Sequence, residues 1–80
     1  MEKKLQLFYD KEGDILYFSS GDPRPAISQE IGDDVLLRVD PETHEVVGLT
    51  ILNLSSRFSS LREPQTLPLK IDLQALNPNT

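Results

Sequence analysis

Tyr9, Asp10, Asp14 and Tyr17 stand close together in the chain, and His44 stands alone as the single histidine. These are the side chains whose types and spacing could do chemistry. Two carboxylates can share acid–base work when their surroundings push their pKa values apart. A tight turn through Asp10-Lys11-Glu12-Gly13-Asp14 would bring the two aspartates together. A small enzyme or ligand-binding site using Asp10, Asp14 and the hairpin tyrosines is therefore one reading. The other is that both aspartates accept hydrogen bonds from turn amides, as Asp commonly does. The sequence favours the second, because nearly every acid falls in an expected turn or on the polar side of a strand.

The spacing Asp10-x-Glu12-x-Asp14 also suggests a calcium loop, but the comparison fails at two positions. Ile15 stands where the loop needs glycine, and Gly21 stands where it needs a bidentate glutamate. His44 lies in the polar stretch Pro41-Glu42-Thr43-His44-Glu45 with no second nitrogen ligand near it. With no cysteine in the chain, it cannot build a zinc site. Its expected role is local, since histidine tolerates the positive φ that such a turn requires. No phosphate-binding glycine loop and no nucleophile elbow is present. No catalytic residue, metal site or cofactor is expected, and the chain is expected not to be an enzyme.

The elements that carry these residues follow from periodicity. Leu5, Leu7 and Tyr9 alternate with Gln6, Phe8 and Asp10, and Ile15-Leu16-Tyr17-Phe18 follows the turn. Residues 4–10 and 14–19 should form a hairpin, with Gly13 supplying the positive φ of its turn. The second strand is apolar on both sides, as for a strand covered on both faces. The aromatics of the hairpin are expected in the core. Pro23 and Pro25 enforce a loop. Alternation then resumes over residues 26–31 and 35–39. Residues 46–54 form the longest apolar run, interrupted at Gly48, where a bulge or close packing is expected.

Five strands joined by short connections predict an antiparallel meander, because consecutive strands are usually neighbours. A short helix over about residues 55–63 should start at a Ser55 or Ser56 cap and pack Phe58 and Leu61 on the sheet. Leu67, Leu69, Ile71 and Leu73 then alternate again, with Pro68 restricting them to an edge strand or an extended arm over about 67–73. The fold class is thus α+β, mostly β, in a single domain over residues 1–80: sheet and helix to residue 63, arm from 64 to 80. The arm could return to its own sheet or pair with a second copy of the chain.

Composition bounds the function. Hydrophobic residues make up 38% of the chain, enough for a folded domain. An 80-residue domain buries only about 60% of its unfolded surface, and without cysteine the missing burial points to oligomerisation, most simply a homodimer. Residues 10–45 carry a net charge of -7 within an overall -5. That surface repels phosphate backbones, so nucleic acid is not an expected partner, whereas a basic protein partner would be attracted. No apolar run suits a membrane span, and the N-terminal alternation is not that of a signal peptide. A soluble cytoplasmic protein is the expectation.

Two stretches resemble a known family. Tyr9-Asp10-x-x-x-Asp14-x-Leu16-Tyr17-Phe18 resembles the hairpin signature of the small, mainly bacterial proteins grouped as domain of unknown function 2283. Val39-Asp40-Pro41-Glu42-Thr43-His44-Glu45-Val46-Val47-Gly48 resembles its second strand–turn–strand signature, with His44 where the family commonly has glycine. The resemblance covers about residues 5–60 and marks Tyr9, Asp10, Asp14, Leu16, Tyr17, Asp40 and Gly48 as signature residues with a structural role. It implies no enzymatic activity. Relatives lying beside small toxin-like proteins imply an antitoxin-type binding role. Three functions stay open: a non-enzymatic protein-interaction module, which leads; a small enzyme or ligand-binding protein; and a homo-oligomeric structural protein.

Overall fold

Five strands and one short helix form the structure, a computed structural model that describes residues 4–21, 24–58 and 64–76. In chain order they are β1 (Leu5–Asp10), β2 (Ile15–Ser20), β3 (Ile27–Gly32), β4 (Val35–Val39), β5 (Val46–Ile51) and α1 (Leu54–Phe58). All pairings are antiparallel. The fold is α+β and mostly β, as the periodicity predicts.

The strand order differs from a simple meander. It runs β1-β2-β5-β4-β3, so β2 pairs with β5 and β3 lies at the far edge. The physical reason lies in two segments. The β2–β3 connection contains Pro23 and Pro25 and is too long for a tight hairpin, while β5 is the most apolar strand and gains most from a central place. The connection is anchored on the way: Arg24 lies 3.6 Å from the Asp40 carboxylate and 3.4 Å from that of Glu45, in the β4–β5 turn.

Cross-strand partners share a face of the sheet. The register therefore puts Leu5, Leu7, Tyr9, Leu16, Phe18, Leu49, Ile51, Val35, Leu37 and Ile27 on one face. Phe8, Tyr17, Thr50, Arg38, Asp10 and Glu30 lie on the other. The register shifts between Arg38 and Val39 opposite β5, which produces the irregularity expected near Gly48. At Gly48 a Cβ would lie 2.7 Å from the Phe18 carbonyl oxygen, so the close packing is real as well.

Burial is sparse. Val35, Val47 and Ile51 form the buried apolar core, joined by the polar Thr50. β2 is half-buried along its whole length instead of covered on both faces, because the sheet is a single layer. The hairpin aromatics are not core residues either. Phe8 is 65% exposed and packs its ring 6.0 Å from that of Tyr17 on the surface.

α1 begins at Leu54 and is described to Phe58; residues 59–63 of the expected helix, Leu61 included, lie outside the described residues. Phe58 is half exposed and does not supply the expected packing. The helix is held by polar ties instead, from Asp14 at its start and from Arg57 to the Asp33 carbonyl. Residues 64–76 form an extended arm and no edge strand. Leu67 and Leu69 are half-buried, but Ile71 and Leu73, on the same side of the alternation, are largely bare.

Candidate functional site

The β1–β2 turn gathers the residues singled out for chemistry. Asp10 accepts a hydrogen bond from the Gly13 amide at 3.2 Å, the turn-capping role expected of it. A Cβ on Gly13 would sit 2.9 Å from that carboxylate, so a larger residue there would have to push the Asp10 side chain off its cap. The positive φ expected at Gly13 is found instead at Asp14, at 57°. Aspartate tolerates this region better than most residues, and its side chain is fixed from several directions.

Those directions define the centre of the site. The Asp14 carboxylate accepts the Tyr9 hydroxyl at 2.6 Å, the Ser55 hydroxyl at 2.9 Å and the Ser55 amide at 3.0 Å. Its own carbonyl accepts the Leu54 amide at 3.1 Å. Asp14 therefore caps α1, which the sequence assigns to Ser55 or Ser56. An ionised carboxylate outcompetes a hydroxyl for this place because charge-assisted bonds are the stronger ones. The Tyr9 hydroxyl first, and then the Ser55 groups, hold the Asp14 carboxyl below the ordinary aspartate range. The same bond raises the Tyr9 phenol above its ordinary value.

This is the reverse of what a catalytic acid needs. The sequence brings Asp10 and Asp14 to the same turn, yet they serve different partners. Two surface clefts, of about 190 and 570 Å³, are lined by Tyr17, Ser19, Arg24 and Arg38 and by Gln6, Phe8 and Tyr17 among others; neither lining includes a carboxylate. Among the described residues, no group of His, Asp and Glu is arranged to hold a metal ion.

The β4–β5 turn is built in the same structural way. Asp40 accepts the amides of Glu42 at 2.8 Å and Thr43 at 3.1 Å. These bonds, with Arg24 and His44 adding charge, keep its carboxyl below the ordinary range. His44 has a φ of 64°, as its position predicts, and its amide donates to the Asp40 carbonyl at 2.9 Å. Leu16 is half-buried on the apolar face, Tyr17 stacks beside Phe8 on the other, and Gly48 admits the Phe18 backbone. All seven signature residues thus have a place in the architecture.

The feature that individual motifs do not reveal is the sheet face itself. Leu5, Leu7 and Ile27 are each more than half exposed on the same side. The strand residues of that face include no charged side chain, whereas the opposite face carries Asp10, Glu30 and Arg38. These side chains leave apolar surface exposed at both edges of the sheet, along β1 and along β3. The alternation of β1 is its signal in the sequence, readable once β1 is known to be an edge strand. Among the described residues, no helix is long and apolar enough to cross a membrane.

No curated protein and no solved structure matches the chain. The profile described as "Protein of unknown function (DUF2283)" matches residues 6–55, a stretch that holds all but the first residue of the sheet and ends on the serine that Asp14 caps; the chain belongs to that family.

Proposed function

We propose that the protein is a non-enzymatic interaction module that docks a protein through the apolar face of its sheet. The observation that carries this reading is the bare, uncharged face on which Leu5 is 58%, Leu7 62% and Ile27 59% exposed. Monomeric proteins rarely leave a large contiguous apolar patch in water. The small-enzyme reading has less support, because the acceptor positions of Asp14 are taken by Tyr9 and Ser55 and its carboxyl is held ionised.

A photo-crosslinking residue at position 5 or at position 28 tests this in the host cell. Leu5 lies on the apolar face, and Ser28 is exposed on the opposite face. The expected result is a discrete protein adduct, to another protein or to a second copy, from position 5 and none from position 28. Failure of position 5 to give any adduct overturns the reading.

A further inference from the structure

We infer that the occupant of the apolar face is a second copy of this chain, the two sheets packing face to face about a two-fold axis. The inference rests on the interaction-module reading above and names its partner.

The first argument is area. The chain exposes 6758 Å², whereas a compact monomer of 9.0 kDa exposes about 4,900 Å². The excess is roughly 1,900 Å² per chain, shared between the open sheet and the extended arm, and a standard interface needs only about 800 Å² from each partner. The radius of gyration agrees: it is 14.0 Å, against about 12 Å for a compact chain of this length. The sheet itself is one layer, and domains are stable as two packed layers.

The second argument is charge. Two copies each carry -5, so most ways of bringing them together place acids against acids. The face formed by Leu5, Leu7, Phe18, Leu37, Leu49 and Ile27 avoids this, because no strand residue on it is charged. A two-fold contact matches a surface with itself. An uncharged surface is therefore the part of an acidic protein that can meet its own copy without like-charge contact. A basic partner would leave its charges unpaired on the same surface.

The third argument is the distribution of exposure. The bare apolar residues lie towards both edges of the face, Leu7 on β1 and Ile27 on β3, while Val35 and Ile51 near α1 are already covered. The apolar side of the arm is likewise half-covered at Leu67 and Leu69 and bare from Ile71 onward. What one copy leaves open is the surface that a second sheet, stacked about 10 Å away, would cover.

Analytical ultracentrifugation of the full chain tests this with three variants. Wild type is expected at twice the 9.0 kDa chain mass at micromolar concentration. Leu7→Asp and Ile27→Asp, at exposed positions on opposite edges of the face, are each expected to weaken association at least 100-fold with unchanged strand content by circular dichroism. Phe8→Asp, on the same edge strand but the opposite face, is expected to leave the dimer intact. A wild-type monomer at about 100 µM overturns the inference, as does equal loss in all three variants, which indicates edge-to-edge strand pairing. A monomer whose position 5 still crosslinks to a different protein overturns the dimer alone; a monomer with no such adduct removes the interaction-module reading as well.

Discussion

The carboxylate of Asp14 holds both the amide and the hydroxyl of Ser55, a residue 41 positions further along the chain, at 3.0 and 2.9 Å. One side chain in the first turn thereby fixes where the helix begins after the last strand. The Tyr9 hydroxyl completes the arrangement from β1, so three segments meet on one ionised group.

Asp14→Asn should lower stability at neutral pH and flatten the acid limb of the stability profile. The Asp14 carboxyl is held below its ordinary value of 3.8. Its contribution is therefore fully present above that value and is lost as pH falls through the lower folded-state value. Asp40 acts in the same direction and leaves a residual acid dependence in the variant. Urea midpoints measured from neutral pH downward check this. Identical acid slopes in wild type and variant would show that Asp14 plays no such part.

Tyr9→Phe should move the Asp14 pKa upward, because the phenol is the largest cause of its depression. Carboxyl carbon chemical shifts followed through an acid titration report this directly. The Tyr9 phenol is itself raised, so its contribution is present below 10.0 and is lost as pH rises through the folded-state value. The variant should lack that alkaline limb. An unmoved Asp14 titration contradicts the assignment.

Gly48→Ala should destabilise by about 1–3 kcal/mol, the usual cost of forcing an extra carbon into a packed site. The new methyl would lie 2.7 Å from the Phe18 carbonyl oxygen, an atom of the backbone that cannot rotate away. The strain falls on the β2–β5 pairing, so amides of these two strands should lose hydrogen-exchange protection before those of β3. Unchanged stability would mean that the strands separate here without cost.

His44→Gly should stabilise the protein, by up to about 1 kcal/mol. A left-handed conformation costs an ordinary residue roughly 1–2 kcal/mol, and the added freedom of glycine in the unfolded chain takes back about 0.5–1 kcal/mol. The exposed imidazole accepts no hydrogen bond that would be lost among those of the turn, which run through its backbone amide. Thermal melts at matched concentration check the sign. A clear loss of stability would assign the imidazole a contact of its own.

Local chemistry was readable from the sequence where it depended on neighbours. The turn at Asp40 and the positive φ of His44 follow from Asp-Pro and the spacing to Val46, and the capping of Gly13 by Asp10 follows from the turn it closes. The positive φ expected at Gly13 falls on Asp14, whose side chain is held by Ser55, far along the chain. The strand order was hidden for a related reason. Adjacent strands pair by default, and only the length of the Pro23–Pro25 connection together with the strong apolar character of β5 hints that β5 takes the central place. The hairpin aromatics look like core residues because periodicity tells which side a residue faces, and says nothing of whether a second layer covers that side.

The strand order also sets a schedule for assembly. β3, β4 and β5 follow one another in the chain and in the sheet, so they can zip together through short local loops. The β1–β2 hairpin is synthesised first, yet its only neighbour is β5, and the Asp14 clasp waits for residue 55. Contacts between distant segments form slowly, since the intervening chain must be ordered before they reward it. Docking of the hairpin onto β5 is accordingly the late step on the ribosome, and the interval before it is when the nascent chain is most open to mispairing.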